Sequence, residues 1–234
     1  MYRFIHLLLS LLLVVLSSCQ QKKISGLVAH YPFDGHTLDQ SGNGNDGLVH
    51  GATLTMNRFA EEKSAYYFNG SSSYIQASVK NMPAVESPQT IALWFMIQEP
   101  PAYSDSMGAD NMIALVDTSM GIGVQFGYRA PAYGTLGLDT WYWGGRSVLE
   151  SQQPEVNEWH HCVYTFDGQK HLFFLDGQQT AQSSVKPQVG TPNMLMLGNY
   201  PGGNQYFSGA LDEVLIFNRV LSSSEIEQLY KKKE

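Results

Sequence analysis

Residues 159–177 read Trp159-His160-His161-Cys162-Val163-Tyr164-Thr165-Phe166-Asp167-Gly168-Gln169-Lys170-His171-Leu172-Phe173-Phe174-Leu175-Asp176-Gly177. Two runs, 159–166 and 171–175, are rich in aromatic and β-branched residues, which suit a pleated, half-buried surface. Asp167-Gly168 separates them, and Asp-Gly between two such runs is a strong hairpin signal because glycine accepts positive φ without steric cost. Asp176-Gly177 turns the chain a second time.

The same beat continues in both directions. A strand is expected at 27–33. Residues 65–68, Asn69-Gly70 and 74–79 form a strand, a turn and a strand. Residues 90–97 are apolar on both faces, as in a central strand covered on each side. Residues 112–117 and 121–128 make another antiparallel pair, and 194–198 and 209–217 supply the last strands. Short strands punctuated by Gly and turn pairs predict an all-β fold, a two-sheet antiparallel jelly-roll sandwich. The C-terminus differs. Ser222 and Glu225 form a capping box, Leu221 and Ile226 a hydrophobic staple, and Lys231, Lys232 and Lys233 suit the negative end of a short helix. That helix is expected on the sandwich edge. No internal repeat is present.

The first residues carry an address. Arg3 precedes an apolar run over 7–16 broken only by Ser10, followed by Ser17-Ser18-Cys19. A positive start, a short apolar core and small residues mark a secretory signal peptide over 1–18. The run falls short of the about 20 apolar residues that cross a membrane. Leu16-Ser17-Ser18-Cys19 resembles the bacterial lipobox, which implies lipidation of Cys19 and a polar tether over 19–25, with one domain over 26–234. The expected location is an outer membrane lipoprotein, facing the periplasm or the cell surface. No acidic cluster follows Cys19, which favours the periplasmic side.

Loss of residues 1–18 removes Arg3 and takes the net charge from −7 to −8. An acidic domain without a basic stripe argues against nucleic acid and against anionic lipid headgroups as partners. With Cys19 lipidated, Cys162 has no partner for a disulfide, and its place inside a strand reads as a small buried residue.

Several catalytic readings fail. Gly42-Asn43-Gly44-Asn45-Asp46-Gly47 satisfies G-x-G-x-x-G, but it neither follows a strand nor opens a helix within a βαβ unit. No G-x-S-x-G or H-E-x-x-H occurs. Glu155 and Glu158 lie in an expected loop with no Asp between them. His160 and His161 are neighbours and point to opposite faces of a strand. Asn69-Gly70-Ser71 reads as a turn.

One set of motifs is more specific. It comprises Tyr31-Pro32-Phe33-Asp34-Gly35, then 39–45, then Phe68-Asn69-Gly70 with Tyr74-Ile75. Trp159-His160-His161, Phe174-Leu175-Asp176-Gly177 and 209–222 follow far downstream. Together they resemble the LamG-like jelly roll of the concanavalin A-like lectin/glucanase superfamily, over roughly residues 27–230. The resemblance implies a structural calcium ion where the first and last strands meet. Asp34 and Asp212 would be side-chain ligands, joined by a carbonyl of the loop that begins at Asn43. Calcium takes six to eight oxygens, and a Gly/Asn loop exposes carbonyls. The alternative is that Asp34 opens an Asx-turn and Asp212 pairs with Arg219 or Arg58. The glucanase carboxylate run E-x-D-x-x-E is absent, and glycoside hydrolysis normally needs two carboxylates, so no enzyme is expected.

Two functions remain. One is a noncatalytic carbohydrate-binding domain of an anchored envelope lipoprotein, with Tyr128, Tyr133, Trp141, Tyr142 and Trp143 as an aromatic platform. Asn199, Tyr200, Asn204 and Gln205 would form its rim. Trp141 and Trp143 share a strand face and are equally readable as core. The other is a protein-interaction, adhesion or structural role in the envelope, since fold does not fix function. The expected partner is a glycan or an envelope protein.

Overall fold

The structure is a computed structural model that describes residues 24–98, 109–129, 140–142, 145–147 and 154–232. The stretch expected to be a signal peptide, 1–18, and Cys19 lie outside the described residues. The strands are β1 (Leu27–Tyr31), β2 (Gly47–His50), β3 (Thr53–Thr55), β4 (Ala65–Asn69), β5 (Tyr74–Ala77), β6 (Gln89–Ile97), β7 (Ala109–Asp117) and β8 (Ile122–Arg129). They continue with β9 (Thr140–Tyr142), β10 (Gly145–Ser147), β11 (Trp159–Phe166), β12 (His171–Leu175), β13 (Gln178–Ser183), β14 (Met194–Leu197) and β15 (Ser208–Phe217). One helix, α1 (Ser223–Lys231), closes the described chain.

Two antiparallel sheets face each other. The larger runs β13-β12-β11-β6-β15-β4-β3, with β1 also paired to β15. The smaller runs β2-β5-β14-β7-β8, and β9 and β10 form a separate hairpin. Alternation places Ile91, Leu93, Phe95 and Ile97 of β6 against Ile113 and Leu115 of β7 and Leu195 and Leu197 of β14 in one buried core. The expected jelly-roll sandwich is therefore what forms. Residues 159–175 make the expected hairpin, with Phe166 opposite His171.

Strand β15 organises the larger sheet. Its first half, Ser208 to Leu211, pairs with β4, and its second half, Val214 to Phe217, pairs with β1. The register on β6 shifts between Asp212 and Leu215, and Glu213 there has φ +48. A bulge of this kind re-aims side chains at a defined point.

The helix does not pack on the sandwich edge. It lies on the outer face of the larger sheet, where Leu221 and Ile226 join Leu27, Ala92, Val163, Leu215 and Phe217 in a second buried cluster. Its capping box forms as expected: Glu225 N–H donates to Ser222 Oγ at 3.3 Å, and Ser222 N–H donates to Glu225 Oε2 at 2.8 Å.

Candidate functional site

The outer face of the smaller sheet is partly open. Ile75 and Ala77 of β5 and Leu195 and Leu197 of β14 point into the core, so Tyr74, Gln76, Met194 and Met196 point outward. On β2, His50 lies opposite Tyr74, and Leu48 lies opposite Gln76. Gln76 also lies opposite Met196. The His50 and Tyr74 rings stack with centroids 4.4 Å apart and planes 16° apart. Gln76 and Leu48 are exposed. Two depressions meet at Gln76. One, of about 450 Å³, is lined by Tyr74, Gln76, Met194, Met196, Asn199, Asn204 and Tyr206 among others. The other is lined by Asp46, Leu48, His50, Ser78, Lys80 and Asn193. Together they form a groove along β5.

The loop after β14 builds one wall. Its ends are tied by Phe207 N–H to the Gly198 carbonyl at 2.9 Å, and Gly198 N–H donates to the Met112 carbonyl at 2.9 Å. Gly198 has φ +82, and a Cβ there would meet the Phe68 ring at 2.2 Å, so only glycine fits. Gln205 is buried. Its Oε1 accepts from Asn111 Nδ2 at 2.6 Å, and its carbonyl accepts from Asn111 N–H at 3.0 Å, fixing the loop to β7. Asn199 is only 4% exposed, yet its Oδ1 has no hydrogen-bond partner. His50 Nε2 is likewise buried and unpartnered. A buried polar atom without a partner costs about 1–3 kcal/mol.

Of the residues expected to form the rim, Asn199 and Asn204 line the groove, whereas Gln205 is the latch behind it. Among the expected platform residues, Tyr128 falls on β8 opposite Asp110, and Trp141 and Tyr142 fall on β9. Strand β9 lies beside β8, the edge of the smaller sheet opposite β2. Tyr133 and Trp143 lie outside the described residues. Sequence reasoning missed Tyr74, His50 and Gln76. The signal available was the alternation of Tyr74 and Gln76 with apolar Ile75 and Ala77.

Two of the expected calcium ligands, Asn43 and Asp212, lie at opposite ends of the β1–β15 pairing. Asn43 sits beside the start of β1, where its Nδ2 donates to the carbonyls of Leu27 and Val28 at 3.3 and 3.2 Å. Asp212 lies at the other end of the β1–β15 pairing, beyond the Tyr31–Val214 pair. Its Oδ2 accepts from Arg58 Nη1 at 2.6 Å. Burial pushes the Asp212 carboxyl up to about 7 against the pull of Arg58. Asp34 is exposed and is coupled to Asp212 by charge. Burial also raises Glu213, but hydrogen bonds and charge from His30 and Lys232 outweigh it and hold it at about 2. The loop carbonyls are engaged as well: Asn45 O accepts from Tyr31 Oη at 2.6 Å, and Gly44 O from Lys80 Nζ at 3.1 Å. Among the described residues, no group of three or more His, Cys, Asp or Glu could hold a metal. The residues present do not fit a calcium centre made of Asp34, Asn43 and Asp212. Arg219, the other partner considered for Asp212, instead pairs with Glu225 at 2.6 Å.

A family profile described as the concanavalin A-like lectin/glucanases superfamily matches residues 69–227. The chain belongs to that superfamily. Solved structures with the same fold include the binding domain of Paraclostridial Mosquitocidal Protein 1, at TM-score 0.68 and 18% identity over 88% of this chain and 52% of that one. Domain 4 of AbnA, an extracellular arabinanase from Geobacillus stearothermophilus solved with arabinotriose, superposes at TM-score 0.65 and 18% identity, over 88% of this chain and 99% of that one. The receptor binding domain of botulinum neurotoxin C/D mosaic serotype gives TM-score 0.67 and 13% identity, over 88% and 51%. The superfamily member described here thus spans about half the length of the toxin domains. No curated protein matches it in sequence.

Proposed function

We propose that the chain is a noncatalytic carbohydrate-binding domain of a membrane-anchored envelope lipoprotein, and that the groove along β5 takes the sugar. The observation that carries this reading is the stacked His50–Tyr74 pair on the open face of the smaller sheet, beside a depression that Tyr74, Asn199 and Asn204 line. A flat aromatic face covers the C–H face of a pyranose or furanose ring, while amide groups meet its hydroxyls. Sites of this type combine apolar walls with a few placed polar groups. The arabinotriose complex of AbnA domain 4 offers a precedent on the same fold. Asp46 is the one carboxylate among the described residues that line the groove. Glycoside hydrolysis usually takes two carboxylates flanking the bond, which supports a binding role. Because the depressions meet at Gln76, the expected ligand is a glycan chain lying along β5.

The test is a glycan screen followed by calorimetric titration of the purified protein. Tyr74→Ala and Asn204→Ala are each expected to weaken binding about tenfold, the equivalent of 1.4 kcal/mol, with melting temperatures close to the wild type. Affinity is expected to rise from mono- to trisaccharide. Trp141→Ala in the same titration tests whether the platform continues onto β9. Failure to bind any glycan sinks this reading and turns attention to a protein partner from envelope extracts. For the anchor, the order Leu16-Ser17-Ser18-Cys19 after an apolar run is the support, and triacylation exceeds the two signals that suffice for stable attachment. Metabolic labelling with palmitate is expected to mark the wild type and spare Cys19→Ser; equal labelling of both refutes the anchor.

A further inference from the structure

We propose that the Arg58 guanidinium is the resident cation beside the junction of the first and last strands, so that the protein anchors the β3–β4 connection to β15 there without a divalent metal. The side chains of Arg58 and Asp212 are 5% and 2% exposed, and Nη1 and Oδ2 are 2.6 Å apart. Arg58 Cζ lies 4.3 Å from the Phe59 ring centroid and 4.7 Å from that of Trp94. A guanidinium held against two aromatic faces away from water is a well-placed fixed charge. It neutralises the carboxylate that the β15 bulge turns into this position.

The other carboxylates leave little for a metal. Glu213 receives His30 Nε2 and Lys232 Nζ, each at 3.0 Å. Among the described residues, Asp34 alone of the three acidic groups here makes no ion pair, and one such carboxylate falls far short of six to eight oxygens. Asn43, the remaining expected ligand, is bonded to the far end of β1. Arg58 also has Nε and Nη2 buried without protein partners. The residue lines a cavity of about 10 Å³ shared with Trp94, His161 and Glu213. That space matches a single water molecule, which would take up the two remaining donor groups.

The experiment is a set of thermal melts in calcium chloride and in EGTA. It compares the wild type with Arg58→Gln and with the double variant Arg58→Gln/Asp212→Asn. The wild type is expected to melt at one temperature in both buffers. Arg58→Gln is expected to melt lower, because it strands a buried carboxylate. The double variant is expected to recover part of the loss, because that charge is gone. A wild-type melting temperature that rises with calcium or falls in EGTA overturns the proposal. So does an Arg58→Gln variant that melts with the wild type. If Arg58→Gln does not fold, elemental analysis of the wild type after dialysis against EGTA still decides. Folded, metal-free protein upholds the proposal, and stoichiometric retained metal overturns it.

Discussion

Two adjacent histidines show how far one residue's surroundings outweigh its identity. His160 Nδ1 bonds Asp176 Oδ2 at 2.9 Å, and that hydrogen bond raises its pKa. His161 is 2% exposed, packed against the rings of Trp94 and Tyr230, and burial lowers its pKa to about 4. The consequences for stability have opposite signs. His160 contributes stability below its ordinary 6.5 that is lost as pH rises through its raised folded value. For His161, both states are neutral above 6.5. Below it the unfolded chain takes a proton that the folded imidazole refuses until about pH 4. Stability is therefore expected to fall between pH 6.5 and 4, by roughly 3 kcal/mol from this residue at about 1.4 kcal/mol per unit. Asp212, raised to about 7, gains stability over the same range, so urea titrations should show the His161 loss as a difference, the wild type falling relative to His161→Phe as pH drops from 6.5 to 4. Equal slopes would exclude His161 as the cause. Alternation alone placed these two side chains on opposite faces, but only the fold reveals that Asp176 closes on one and Tyr230 on the other.

At the scale of elements, the helix is held by its ends and one face. A helix of nine residues is marginal in water by itself. Arg219 adds a clamp, with Nη1 and Nη2 on the Glu225 carboxylate at 3.1 and 2.6 Å and Nε on the Ser25 carbonyl at 2.8 Å. Ser222→Ala is expected to cost about 1 kcal/mol, read from the urea midpoint. No shift in midpoint would assign the helix's stability to Arg219 and the apolar face alone. The capping box was legible because its signals are local. Where the helix docks was not, because Leu27, Ala92, Val163 and Leu215 come together only through strand pairing. The groove escaped for the same reason. His50, Tyr74 and Met196 sit on three strands far apart in the chain, and alternation says that one face is polar without saying which neighbours complete it. Strand β13 also went unread, since its largely exposed side chains lack an alternating apolar face.

At the scale of the molecule, turn pairs and apolar runs were enough to predict a two-sheet sandwich, and the superfamily followed from motifs at both ends of the domain. The cation at their junction was legible only as a choice among partners. Arg58 lies 154 positions from Asp212, and no spacing rule selects it over Arg219. The pairing of β15 has a different consequence. The strand that divides the larger sheet, with β6 on one side and β1 and β4 on the other, is made from residues 208–217 of a 234-residue chain. A nascent chain emerging from its N-terminus has to carry β1, β4 and β6 without their β15 partner until residues 208–217 have been made. Such edges invite pairing with other chains, so truncation ahead of residue 208 yields a sticky fragment, and the arrival of β15 is the event that lets the sheet close.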